Sequence, residues 1–119
     1  MFNDFSMNAS ALPLLSHAKS RSISAENFQG EPNAGGRATE GTGAHCARKL
    51  GCGWKISPSY VIQPGEVFRM VDIAGSGAIQ SMWITGYVGR DLILRAYWDD
   101  QEQPSIESPL SDFFAAGWT

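Results

Sequence analysis

The sequence predicts an all-β fold in which antiparallel strands form a sandwich or a barrel. Three observations favour this class. Short runs of alternating apolar and polar residues recur through the second half of the chain. Glycine and proline separate these runs at short intervals, as turns do. No stretch between the runs has the period of an amphipathic helix, so the strands are expected to follow one another directly.

The clearest element is a predicted hairpin near the end of the chain. Alternation over residues 92–98 makes one face wholly apolar, while Arg95 lies on the other face between large hydrophobic residues. A polar reversal is predicted at residues 99–101, and Pro104 ends the ladder because it has no N–H to donate. Residues 105–108 are expected to return as the second strand of the hairpin.

Three further strands are predicted upstream, at residues 60–62, 67–73 and 79–87. The first two are joined by a turn at residues 63–66, with proline early and glycine next. Trp83 is expected in the core, as is Trp98 of the hairpin. Because so few strands do not close a sandwich, we expect exposed edges, or strands from a longer chain or a neighbour.

The two ends of the chain differ from its centre. Residues 1–19 are predicted to form an N-terminal arm with a short helix, and residues 20–119 a partial β domain. The chain stops soon after a predicted aromatic turn at residues 109–114, with Trp118 among its last two residues. Because termini usually fray into water, this ending predicts a truncated domain.

Composition excludes several classes of function. A net charge of −3 without a basic stripe argues against nucleic-acid binding. No apolar run reaches the roughly 20 residues of a membrane helix, and no secretory segment is evident, so we expect a cytoplasmic protein without a membrane partner. Cys46 and Cys52 are expected to be free thiols.

The His and Cys residues form no complete motif for a metal site or for a catalytic nucleophile. His45, Cys46 and Cys52 supply three zinc ligands but no fourth at a suitable spacing, so we expect neither metal nor cofactor. A His45–Cys46 nucleophile pair is not expected, because neighbours in sequence rarely face each other. The acidic residues at 99–102 are interpreted as a solvated turn.

Binding chemistry is expected in the glycine-rich segment at residues 27–53, because long loops without periodicity are usually functional. Glu26 and Glu40 are candidate ligand-facing carboxylates. Trp54 is either a stacking surface for a sugar ring or a plug at the end of the sandwich. Asp112 is either a site residue or the cap of a turn.

Several motifs occur together in one order: SAEN at residues 24–27, GG…ATEGTGA at 35–44, LGxGWKISPS at 50–59, and LRAYWDDQEQPSIESPLSDFF from residue 94. In this combination the chain, from residue 20 onward, resembles glycoside hydrolase family 172. The resemblance implies tandem jelly-roll β-sandwiches, of which this chain would hold part of the first, assembled as homotrimers or hexamers. It also implies retaining hydrolysis or transglycosylation of furanosides, such as α-D-fructofuranosides, difructose anhydrides or D-arabinofuranosides.

Members of that family are several times longer, and no residue here matches their catalytic glutamates. The chain alone is therefore expected to be inactive and to contribute a carbohydrate pocket and subunit contacts. The expected substrate-binding residues, by position in the matching motifs, are Glu26, Asn27, Glu40, Trp54 and Asp112. A non-catalytic jelly-roll module for oligomerisation or carbohydrate binding is the alternative.

Overall fold

The computed structural model describes residues 17–47, 49–50 and 53–116. In chain order these contain helix α1 at Ala44–Ala47, strand β1 at Ile93–Ala96, strand β2 at Ile106–Pro109 and helix α2 at Leu110–Phe113. The chain divides into two compact units, Met1–Ala78 and Ile79–Thr119. Little helix and one antiparallel sheet agree with a mainly-β class, whereas the jelly-roll arrangement stays a prediction. The predicted arm helix falls almost wholly outside the described residues.

The predicted hairpin is confirmed in the second unit. Strands β1 and β2 pair antiparallel, with Leu94 opposite Ser108 and Arg95 opposite Glu107. Arg95 Nε donates to Glu107 Oε2 at 2.6 Å, which links the two strands on the solvent side. The reversal is closed by the Gln101 N–H, which donates to the Trp98 carbonyl at 3.1 Å.

A small core lies on the other face of this hairpin. Leu94 of β1 and Leu110 of α2 are the buried apolar residues of the described part of the unit. Helix α2 follows β2 directly and contacts both strands. The predicted aromatic turn is in fact one helical turn, and its Leu110 N–H donates at 2.8 Å to the carbonyl of Leu92, the residue before β1.

The first unit is held together by loops that pack closely. Ala47 of α1 and Ile56 are its buried apolar residues among those described. The Gly43 N–H donates to the Ile56 carbonyl at 2.8 Å. A side chain at Gly41 would come within 2.7 Å of that same carbonyl, so the backbones approach too closely for any residue but glycine.

The predicted turn at residues 63–66 is also confirmed. The Glu66 N–H donates to the Gln63 carbonyl at 2.9 Å, and Gly65 has a φ of 80°, as the third position of a type II turn requires. On either side of this turn the rings of Tyr60 and Phe68 stack with centroids 4.0 Å apart. Phe28 meets both rings edge-on, at 6.3 and 5.8 Å.

The three upstream strand predictions are wrong for the described residues. Residues 60–62, 67–73 and 79–87 form no ladder, although apolar residues alternate along them. Trp83 is 80% exposed, and Trp98 is also exposed, so neither is a core residue in this structure. The physical reason is that a strand needs a hydrogen-bonded neighbour, and no described residue provides one for these segments.

The described helices are single turns, and none of them has the length or the apolar character to cross a membrane.

Candidate functional site

Glu26 joins two distant parts of the first unit. Its Oε1 atom accepts the Ser57 N–H at 2.7 Å, in a partly buried contact between residues 31 positions apart. Its Oε2 atom is buried and has no hydrogen-bond partner within the described residues. A buried polar atom without a partner is costly, so the Ser57 bond offsets only part of the cost of burying this carboxylate.

The glycine-rich segment also contacts the stretch of chain that contains Ser57. In addition to the bond from Gly43 to Ile56, Thr42 Oγ1 lies 2.8 Å from Ser59 Oγ and donates to the Ser59 carbonyl at 3.2 Å. A side chain at Gly43 would meet the Lys55 carbonyl at 2.8 Å. Residues 55–59 are therefore held between Glu26 and the glycine-rich segment, and we call them the clamped segment.

Trp54 immediately precedes the clamped segment and is 55% exposed. On one side, the Gly53 N–H donates to the Gly36 carbonyl at 2.8 Å. On the other, the Ile56 N–H donates back to the Trp54 carbonyl at 2.8 Å and tightens the chain about Lys55. The backbone is thus hydrogen-bonded at Gly53 and at the Trp54 carbonyl, while more than half of Trp54 is exposed.

Asn27 uses both ends of its side-chain amide on one partner. Its Nδ2 donates to the Glu31 carbonyl at 2.9 Å, and its Oδ1 accepts the Glu31 N–H at 3.2 Å. Its backbone pairs with that of Ser24, through hydrogen bonds of 2.9 and 3.1 Å. The amide therefore closes a loop in this structure.

Glu40 is exposed and makes no hydrogen bond or ion pair with any described residue. It directly precedes Gly41, whose backbone lies against the clamped segment. Its carboxylate is accordingly available to a ligand.

Asp112 lies in the second unit, on helix α2. Its Oδ1 atom accepts from Arg90 Nη1 at 2.7 Å and from Ser111 Oγ at 3.4 Å, and no backbone N–H of the described residues donates to its carboxylate. The turn-cap interpretation is therefore wrong, and the ion pair to Arg90 takes its place. Beside it, the rings of Phe113 and Phe114 meet edge-on at 5.1 Å, and both are exposed.

The structure thus brings Glu26, Glu40 and Trp54 to the surroundings of one short stretch of chain, the clamped segment. The sequence motifs did not single out Ser57, whose backbone N–H donates to the Glu26 carboxylate. No side-chain pattern signals a backbone donor, although Ser57 lies within the LGxGWKISPS motif. Thr42 and Ser59 were missed for a similar reason, because hydroxyls pair without any characteristic spacing.

His45 and Cys46 do face each other, contrary to expectation. Cys46 Sγ lies 3.1 Å from His45 Nε2, and Cys46 is an exposed free thiol. The described residues contain no group of three or more His, Cys, Asp or Glu side chains arranged to hold a metal ion, and Cys52 lies outside them.

One carboxylate of the first unit has a displaced pKa. The Gln63 N–H donates to Glu66 Oε2 at 2.7 Å and the Tyr60 hydroxyl donates to Oε1, and these two bonds lower the pKa of Glu66. The same carboxylate raises the pKa of Tyr60 by accepting its proton in a hydrogen bond. This pair stabilises the turn at residues 63–66.

Comparison with known families gives a match of substantial length. The profile of the family described as GH172 domain-like matches residues 55–119. Asp112 lies inside the matched range, whereas Glu26, Asn27, Glu40 and Trp54 precede it. No curated protein gives a significant match to the chain.

The profile match covers more than half of the chain and confirms the resemblance found in the sequence motifs. The chain therefore belongs to the GH172 domain-like family, a relation to the glycoside hydrolases that implies a carbohydrate substrate.

Proposed function

We propose that this chain supplies part of a carbohydrate pocket, together with subunit contacts, to a glycoside hydrolase that acts on furanosides. The reaction would be retaining hydrolysis or transglycosylation of α-D-fructofuranosides or D-arabinofuranosides, in a cytoplasmic homotrimer or hexamer with jelly-roll domains. The catalytic glutamates of such enzymes match no residue of this chain, so its proposed role is binding rather than bond cleavage.

The single observation that supports this role best is the setting of Trp54. An aromatic residue that is 55% exposed, with hydrogen-bonded backbone on both sides, offers a flat apolar ring face, and little conformational entropy is lost when a ligand binds to it. Sugar rings present C–H groups on one face, which pack on such a surface, while their hydroxyls require polar partners.

The proposed binding set is Glu26, Asn27, Glu40, Trp54 and Asp112. Within this set the geometry favours Trp54 and Glu40 for direct contact, because the ring and the carboxylate are both exposed. The Asn27 amide is already paired with the Glu31 backbone, and Asp112 is paired with Arg90. A sugar hydroxyl would have to displace those partners to reach either side chain.

A second function is favoured by a different observation. Val67 is 86% exposed and Trp83 is 80% exposed, and Tyr87 is exposed as well. Apolar side chains so open to water are typical of surfaces that pack against other polypeptide. A non-catalytic module for assembly is therefore the alternative, with contacts made through these segments.

Saturation-transfer NMR with the 119-residue chain distinguishes the two functions. We expect binding of methyl α-D-arabinofuranoside and of a difructose anhydride, weak binding of methyl α-D-glucopyranoside, and no release of product from an aryl α-D-arabinofuranoside. Binding of no sugar by a chain that self-associates in sedimentation would favour the assembly module. Product release by the chain unaided would contradict the division between binding and cleavage.

A further inference from the structure

We infer that Glu26 acts on the carbohydrate site as a positioning residue, by holding the clamped segment and with it Trp54, and that it does not touch the sugar. This inference deepens the proposed function and rests on it.

The first support is the way the Glu26 carboxylate is engaged. Oε1 accepts the Ser57 N–H at 2.7 Å, and Oε2 is buried, so neither oxygen is presented to a ligand in solvent. A charged acceptor on a backbone N–H makes one of the stronger hydrogen bonds in proteins. The carboxylate is thus committed to the backbone of the clamped segment.

The second support is the short path from Ser57 to Trp54. Only Lys55 and Ile56 separate them, and the Ile56 N–H bonds back to the Trp54 carbonyl at 2.8 Å. Ile56 is buried, and its carbonyl accepts a hydrogen bond from the Gly43 N–H. Because Ile56 cannot move freely, we expect a displacement of the Ser57 backbone to displace Trp54 as well. Release of the Ser57 N–H is therefore expected to loosen the ring.

The third support is the packing next to Glu26. Phe28, two residues after Glu26, contacts Tyr60 edge-on with ring centroids 6.3 Å apart. Glu26 and Phe28 thus both contact the stretch of chain at residues 57–60. The segment around Glu26 therefore runs beside residues 57–60 and is fixed in place independently of the carboxylate. This arrangement lets the carboxylate be changed while the segment that bears it stays in position.

Three substitutions of Glu26 distinguish the effect of side-chain length from the effect of charge. Glu26→Gln keeps the length of the side chain and an acceptor oxygen, Glu26→Asp keeps the charge but is too short by one methylene, and Glu26→Ala loses both. Glu31→Ala is the matched control, because it removes an exposed carboxylate five residues farther along the same segment.

The measurements are the affinity for methyl α-D-arabinofuranoside and the hydrogen exchange of the Ser57 amide. We expect Glu26→Ala and Glu26→Asp to weaken binding about tenfold and to speed Ser57 exchange by a similar factor, since one charge-assisted hydrogen bond is lost. Glu26→Gln is expected to stay within about threefold of the original in both measurements. Glu31→Ala is expected to change neither.

The ranking of Gln against Asp decides the inference even if Glu26→Ala fails to fold. Tighter binding by Glu26→Asp than by Glu26→Gln would show that charge at the sugar matters, and would overturn the positioning role. Equal Ser57 exchange in all variants would overturn it as well. If the original chain binds no furanoside, the proposed function fails, while Ser57 exchange still tests whether Glu26 holds the clamped segment.

Discussion

Asp99 and Asp100 form the tip of the hairpin with backbone angles that most residues avoid. Their φ values are 52° and 57°, both left-handed, and the Gln101 N–H closes the turn on Trp98. Two consecutive left-handed residues make a tight turn of the kind in which Asn-Gly and Asp-Gly are preferred, and this turn lies within the connection at residues 97–105. Aspartate tolerates this conformation better than most residues, but less well than glycine.

Replacing Asp100 with glycine is therefore expected to stabilise the chain. We expect Asp100→Gly to raise the free energy of unfolding by about 0.5–1 kcal/mol, because the left-handed φ no longer carries a steric cost. Urea denaturation measures the change. Glu102→Gly is the matched control, since Glu102 lies in the same loop without a positive φ, and it is expected to give no gain. Equal gains from both variants would contradict this account of the turn.

Tyr60 and Glu66 make the first unit sensitive to pH at both extremes. The hydrogen bond to the Glu66 carboxylate is the main cause that raises the pKa of Tyr60 above its ordinary value of 10.0. The stabilisation from Tyr60 is therefore complete below that value and is lost as pH rises through the folded-state pKa. The lowered pKa of Glu66 acts in the opposite direction, because its contribution is present above its ordinary value of 4.5 and is lost as pH falls through the folded-state pKa.

Alkaline titration of tyrosinate absorbance tests this pair. In Glu66→Gln the charged acceptor is gone, so the Tyr60 midpoint is expected to fall towards its ordinary value. Tyr60→Phe identifies which of the three tyrosines is responsible. An unchanged midpoint in Glu66→Gln would show that the carboxylate does not set the Tyr60 pKa.

At the scale of elements, the hairpin with its reversal at residues 99–101 and the turn at residues 63–66 were predictable because their determinants are local. Alternation at residues 92–98 and the Pro64-Gly65 pair each act within a few neighbours in sequence. The strands expected at residues 67–73 and 79–87 failed because a ladder depends on a partner strand, and that partner can come from any distance along the sequence. The same limit applies to the candidate site, since Glu26 meets the backbone of Ser57 across 31 positions.

The hairpin also allows a direct test of its core face. Leu94 is 7% exposed and Ile93, the preceding residue of β1, is 46% exposed on the opposite face. We expect Leu94→Ala to lower the free energy of unfolding by about 2–3 kcal/mol, because it leaves a cavity beside α2. Ile93→Ala is expected to cost less than about 1 kcal/mol. Denaturant unfolding gives both values, and equal losses would mean that the described core does not stabilise this unit.

At the scale of the whole molecule, many large apolar side chains are open to water and few are buried among the described residues. Buried apolar residues are Ala47, Ile56, Leu94 and Leu110, whereas several valines and isoleucines and three tryptophans of the described residues are exposed. So small a core supplies little of the free energy that ordering a chain requires. The excess of exposed over buried apolar side chains supports the proposal that other polypeptide covers the exposed ones in the working assembly.

Membership of the family was predictable from the sequence, because the motif from residue 94 and half of the one at residues 50–59 lie within the range that the family profile matches. The role of each residue was not predictable in the same way. Trp54 had two interpretations, as a stacking surface or as a plug, and the choice depends on what lies over its ring. In this structure the ring is exposed, which favours the stacking surface.

The most direct test of the carbohydrate site is the substitution Trp54→Ala, with affinity for methyl α-D-arabinofuranoside and melting temperature measured together. We expect affinity to fall at least about tenfold, because one stacking ring is lost, while the melting temperature stays within about 2 °C. Trp83→Ala removes an equally large exposed ring from the other unit and is expected to leave affinity unchanged. Unchanged affinity in Trp54→Ala, with a large fall in melting temperature, would contradict the account and make Trp54 a packing residue.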